Sequence, residues 1–94
     1  MDLNSQNLAN TAWAFATVGH KSEQLFTALA AAAQHRMMDF NSQELANTAW
    51  AFATMGCKDE RLFKALAKWA GHCSGEFDPP QFARTAWAFA TVDI

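Results

Sequence analysis

A chain of 94 residues has the length of one small domain and leaves no room for a second of ordinary size. Hydrophobic residues make up 51% and charged residues 17%, a globular composition far from that of disordered chains, so a core is expected. The formal charge of -2, from 7 Lys plus Arg against 9 Asp plus Glu, argues against a free-standing domain that wraps nucleic acid by charge alone.

The heptapeptide Thr-Ala-Trp-Ala-Phe-Ala-Thr occurs three times, at Thr11 to Thr17, Thr48 to Thr54 and Thr85 to Thr91, so Trp13, Trp50 and Trp87 recur at a spacing of 37. Asn4 to Arg36 laid over Asn41 to Cys73 gives 23 identities in 33 ungapped pairs. A period of this kind marks stacked supersecondary units, each unable to bury its apolar face alone. The units are 4–40, 41–77 and 78–94, the last partial.

Each unit predicts two helices. The first opens at Asn4, Asn41 and Asp78, whose side chains can accept from the orphan N–H groups of a first turn. Glu44 and Gln81 stand three residues on, as in a capping box, and Pro79 occupies the first helical position, where a missing N–H is tolerated. Leu3/Leu8, Phe40/Leu45 and Phe77/Phe82 have the spacing of a hydrophobic staple around each cap. Gly19 and Gly56 end the first helix, and Ser22 or Asp59 caps a second that runs to about His35 and His72.

At 100° per residue, Leu45, Ala46, Ala49, Trp50, Phe52 and Ala53 share an arc of roughly 160°. Gln43, Glu44, Asn47, Thr48, Ala51 and Thr54 fall on the rest. The second helix carries Leu62, Phe63, Leu66, Trp69 and Ala70 inward and Lys58, Arg61, Lys64 and Lys68 outward. The expected fold is therefore all-α: an α-solenoid of about five helices in antiparallel pairs, forming one segment over 1–94.

Tetratricopeptide and ankyrin units, at about 34 and 33 residues, are too short for this period, and HEAT and armadillo units, at about 40–47, too long. A helical pair of 37 residues bearing Gln-Glu-Leu-Ala-Asn-Thr-Ala-Trp-Ala-Phe-Ala, Gln43 to Ala53, resembles the heptatricopeptide repeat and its relative the octotricopeptide repeat. These occur in organellar RNA-binding proteins, including those with FAST-kinase-like and RAP domains and a subunit of the kinetoplastid RNA-editing substrate-binding complex. The resemblance implies binding of single-stranded RNA in the mitochondrial matrix or a plastid, in transcript processing, stability, editing or translation, without catalysis by the repeats.

Helical-repeat RNA readers present two or three side chains per unit to an unstacked base. The candidates here lie on the polar face of the first helix: Asn10, Asn47 and Arg84 at one register position, and Asn7, Glu44 and Gln81 three residues before them. The heptapeptide is invariant among the copies while these positions vary, as a reading surface would require. Amides donate and accept together, and Arg84 suits guanine or a phosphate. Lys64 and Lys68, in the basic run of the second helix, add a local positive patch that net charge conceals. Two or three stacked bases, at roughly 1–3 kcal/mol each, predict micromolar or weaker RNA affinity for this chain alone.

The Trp and Phe residues read as core rather than as stacking platforms; Trp69 has Ala32 as its counterpart in the first unit. Cys57, His72 and Cys73 are too few for a zinc site, and the first unit offers His20, His35 and Arg36 at those places. His35 and His72 suit helix C-termini. No phosphate loop, nucleophile elbow or Glu–His metal pair is present, so neither an enzyme nor a cofactor is expected. The longest apolar run, Ala28 to Ala33, has six residues, so no membrane insertion is expected. Two cysteines do not make a disulfide framework, which favours a reducing compartment, and Met1-Asp2-Leu3-Asn4 carries no targeting character. Two other readings stand beside RNA binding: a protein-interaction scaffold, and an inactive piece of a longer array. In the latter, Phe82, Ala86 and Phe89 lack the helix that should cover them, and uncapped ends predict self-association or marginal stability.

Overall fold

The computed structural model describes residues 4–92. It is all-α: α1 (Ser5–Thr17), α2 (Glu23–His35), α3 (Ser42–Thr54), α4 (Glu60–His72) and α5 (Pro79–Val92). Two short 3-10 turns, Met37–Asp39 and Ser74–Glu76, follow the second helix of each pair. The sequence leaves both as plain connections. Each puts one tight turn between units, and Met37 is buried there, so the first linker also contributes to the core.

The helix ends form where local chemistry requires them. Asn4 Oδ1 accepts from the Asn7 amide at 2.8 Å, Ser22 Oγ from Leu25 at 3.2 Å and Asp59 Oδ1 from Leu62 at 3.0 Å. Asn41 and Glu44 close a full capping box, with bonds of 2.8 and 3.1 Å, and Asp78 and Gln81 make the same reciprocal pair at 2.9 and 3.1 Å. At the other end, Gly19 and Gly56 adopt φ of 70° and 68°, a left-handed conformation in which a Cβ is strained. His20 N–H then donates to Phe15 O and Gly19 N–H to Ala16 O, while Cys57 and Gly56 do the same to Phe52 and Ala53. These paired bonds are the Schellman motif, which satisfies the last carbonyls and turns the chain back into the second helix. Of the three staples, the Phe77 and Phe82 rings meet edge to face at 6.4 Å, and Phe40 and Leu45 are both buried in the same cluster. Leu3 lies outside the described residues.

The first helices form one layer, with α3 between α1 and α5, and the second helices α2 and α4 form another against it. Phe26, Leu29, Leu45, Phe52, Leu62, Phe63 and Leu66 are almost completely buried between the layers. Each such side chain contributes roughly 1.5–3 kcal/mol. Units are keyed to each other by one repeated contact. Phe26 of α2 meets Phe52 of α3 edge to face at 5.0 Å, and 37 residues on Phe63 of α4 meets Phe89 of α5 at 5.6 Å in the same geometry.

Two expectations about burial need correction. Thr48 and Ala51, expected on the polar side of α3, are 1% and 0% exposed. The reason is position: α3 is flanked on both sides by other first helices, so its buried arc is wider than the 160° its apolar residues mark. Ala14, the counterpart of Ala51 on α1, is exposed because α1 has a first-helix neighbour on one side alone among the described residues.

Candidate nucleic-acid interface

What remains uncovered on α3 is a narrow strip that includes Gln43, Asn47, Trp50 and Thr54. On a helical wheel it runs from the edge of the apolar arc across the polar side, so one strip holds an amide and an indole at i and i+3. The same register positions on α1 hold Asn10 and Trp13, and on α5 Arg84 and Trp87. Side by side, the three helices bring these six residues to one face of the first-helix layer.

The tryptophans are core residues only in part: Trp50 and Trp69 pack against the buried cluster, whereas Trp87 does not meet the sequence expectation. Trp13 and Trp50 are half-buried, and Trp87 is 47% exposed. The Trp13 and Trp50 rings lie 4.5 Å apart between centroids at a tilt of 37°. The two rings therefore partly cover one another while both residues keep some exposure. The helical wheel already held the signal, because Trp50 sits at the rim of its arc, next to Asn47.

Arg84 ties the three helices together. Its Nη1 donates to Asn47 Oδ1 at 2.8 Å, and its guanidinium carbon stands 5.0 Å from the centre of the Trp13 ring. The side chain starts on α5, bonds to α3 and reaches the indole of α1. A cation held over an indole face and hydrogen-bonded to an amide is fixed in orientation before any ligand arrives. A guanidinium has five N–H donors, and one bond to Asn47 leaves capacity for a base edge or a phosphate.

The other residues proposed from the sequence divide into two groups that do not join this cluster. Glu44 and Gln81 accept from the backbone N–H groups of Asn41 and Asp78, so their carboxylate and amide oxygens serve the helix caps. Asn7 is exposed in the first turn of α1, and its backbone amide donates to Asn4. Lys64 and Lys68 are exposed on α4, in the layer of second helices, together with Arg61, and Lys58 is exposed in the connection just before that helix. The structure thus unites Asn47 and Arg84, places Asn10 at the same register, and assigns the lysines to another layer.

The acidic residues gather at helix starts and in connections, Glu44 and Asp78 among them at the caps of α3 and α5. Glu23 and Glu60 occupy first turns of α2 and α4, where the helix dipole favours them, and Asp39 and Glu76 lie in the 3-10 turns. Trp69, on α4, has a different role from the other indoles: its Nε1–H donates to Phe40 O at 2.8 Å and pins α4 to the linker ahead of α3. Burial pushes the thiols of Cys57 and Cys73 above their ordinary range, with the charge of Glu76 adding to the effect at Cys73. Among the described residues no three His, Cys, Asp or Glu side chains gather as a metal site, and no helix is long and apolar enough to cross a membrane.

Stacked helix pairs with a face of indoles, amides and a guanidinium define a helical-repeat protein whose exposed groups stack and hydrogen-bond. The chain belongs to the RNA-editing substrate-binding complex 6 protein family, whose model matches residues 1–94. Neither the curated proteins nor the solved structures provide a match.

Proposed function

We propose that this chain binds single-stranded RNA through the exposed face of α1, α3 and α5, as a non-catalytic repeat segment of a mitochondrial RNA-editing factor. Membership of a family named for an RNA-editing substrate-binding complex supports the process and the compartment. The 37-residue unit and its heptapeptide support a repeat of the heptatricopeptide or octotricopeptide type.

The observation that carries the reading is Arg84, held between Asn47 and the Trp13 ring beside the Trp13–Trp50 pair. Single-stranded RNA offers unstacked bases and a charged backbone, and its sequence-tolerant ligands are aromatic faces and cations. In this reading a base stacks on the exposed ring of Trp87, Arg84 contacts the neighbouring phosphate or a guanine edge, and the amides of Asn10 and Asn47 meet base edges. The lysines of α4, in the other layer, raise the local concentration of RNA without reading it.

The test is a fluorescence-anisotropy titration of short single-stranded RNA pools at physiological salt. The expected dissociation constant is micromolar or weaker, because stacking of roughly 1–3 kcal/mol per base must offset the cost of association. Trp87→Ala should weaken binding by about 5- to 100-fold, and Arg84→Gln should also lower the salt dependence by about 0.7 in log–log slope. Affinity untouched by both substitutions would refute the assignment of this face.

A further inference from the structure

One position breaks the amide register of the first-helix face. Where α1 and α3 carry Asn10 and Asn47, α5 carries Arg84, so the junction of the second and third units holds a guanidinium that the junction before it lacks. Arg84 and Asn47 are both half-buried, and Arg84 Nη1 donates to Asn47 Oδ1 at 2.8 Å. A guanidinium has no acceptor, so this bond settles which way the Asn47 amide faces: its oxygen is turned to Arg84 and its NH2 group away from it. The remaining N–H groups of Arg84 and the NH2 of Asn47 are then available to a ligand, against one spare lone pair on Oδ1. The Trp13 ring, 5.0 Å from the guanidinium carbon and 4.5 Å from the Trp50 ring, supplies an aromatic wall beside these donors. Every group of the arrangement lies on α1, α3 or α5.

We propose, resting on the reading that this face binds RNA, that the Asn47–Arg84 pair selects guanine and rejects adenine at this one unit junction. The O6/N7 edge of guanine presents two adjacent acceptors, whereas the same edge of adenine places a donor, the N6 amine, beside N7. Against a set of donors adenine leaves an N–H without a partner, and in a half-buried site that loss is costly. A phosphate also accepts from donors, but the indole pair suits the flat face of a base and offers a phosphate nothing in exchange for its water. Asn10 and Asn47, at the junction before, are two amides with no guanidinium of their own register between them. Asn10 can therefore turn either end of its amide to a base, and the first unit discriminates less than the pair held by Arg84.

The probes are short labelled oligouridines carrying one central guanosine, adenosine or 7-deazaguanosine, titrated with the whole chain by fluorescence anisotropy. The guanosine oligomer should bind about fivefold or more tighter than the adenosine oligomer, and 7-deazaguanosine, which lacks the N7 acceptor, should bind like adenosine. Arg84→Lys keeps the charge and loses the planar fork, and Asn47→Ala removes the anchor of the guanidinium; each should bring the guanosine-to-adenosine ratio below about twofold. Circular dichroism should show unchanged helical content, and either variant serves if the other does not fold. Equal binding of the guanosine and adenosine oligomers, undiminished binding of the 7-deaza oligomer, or a preference that survives both substitutions would overturn the proposal while leaving RNA binding by this face in place. Failure of every oligomer to bind would overturn both.

Discussion

Helices α3 and α5 carry the same seven residues, Thr-Ala-Trp-Ala-Phe-Ala-Thr, yet they differ in how far their neighbours cover them. Ala49, Phe52 and Ala53 are buried on α3, whereas on α5 Ala86 and Ala90 are exposed and Phe89 is half-buried; Thr85 and Ala88 stay buried like Thr48 and Ala51. The caps and the helical conformation are shared because they are set within one or two turns. Burial is shared only in part because α3 lies between two first helices and under α4, whereas α5 has α3 on one side and an open cleft on the other. Identical sequence therefore specifies the element, and position in the stack specifies its energetics.

The widest separation between the two helices should come from truncating one register position. Leu45→Ala removes a fully buried side chain and should cost about 2–5 kcal/mol, whereas Phe82→Ala, at an exposed site, should cost less than about 1 kcal/mol. Urea unfolding of the two variants measures the difference; similar losses would mean that α5 is as well covered as α3.

A smaller effect, and of opposite sign, is expected at the buried threonines. Thr85 Oγ1 donates to Gln81 O at 2.9 Å, but Thr48 Oγ1 has no hydrogen-bond partner among the described residues, although it is buried. Thr48→Val removes an unsatisfied hydroxyl at nearly constant volume and should stabilise the chain by about 1 kcal/mol, while Thr85→Val gains nothing or loses slightly. Calorimetric melting temperatures moving in the same direction for both would contradict this account of Thr48.

The smallest difference is expected at the caps. Asn41→Ala and Asp78→Ala each break a reciprocal cap and should each cost about 1 kcal/mol, agreeing within about 0.5 kcal/mol. A much larger loss at one of them would show that the caps also carry tertiary structure.

The features legible in the sequence are the local ones. Asn4, Asn41 and Asp78 mark the starts of the first helices, Gly19 and Gly56 their ends, and His35 and His72 the ends of the second helices, because capping and left-handed geometry depend on adjacent residues. The period of 37 fixed the pairing of elements. The candidate site was legible in part: Asn10, Asn47 and Arg84 were recognisable as a shared register, but the sequence spent Glu44 and Gln81 twice, once as caps and once as readers, and the structure keeps them as caps. The reach of Arg84 from α5 to Trp13 on α1 could not be read, since it joins residues 71 positions apart across an intervening helix. The partial exposure of the tryptophans escaped for a related reason. An indole at the edge of an apolar arc is buried or exposed according to how closely the neighbouring helix approaches, and Ala-rich layers leave that edge open.

The four indole N–H groups offer the most direct test of RNA recognition by the first-helix face. Three belong to that face, and the fourth, Trp69, is engaged with Phe40 O in the other layer and serves as an internal control. In a heteronuclear NMR titration with a short single-stranded RNA, the indole resonances of Trp13, Trp50 and Trp87 should shift progressively while that of Trp69 stays in place. Shifts confined to Trp69 and the neighbouring lysines of α4, with the other three indoles unmoved, would contradict the account.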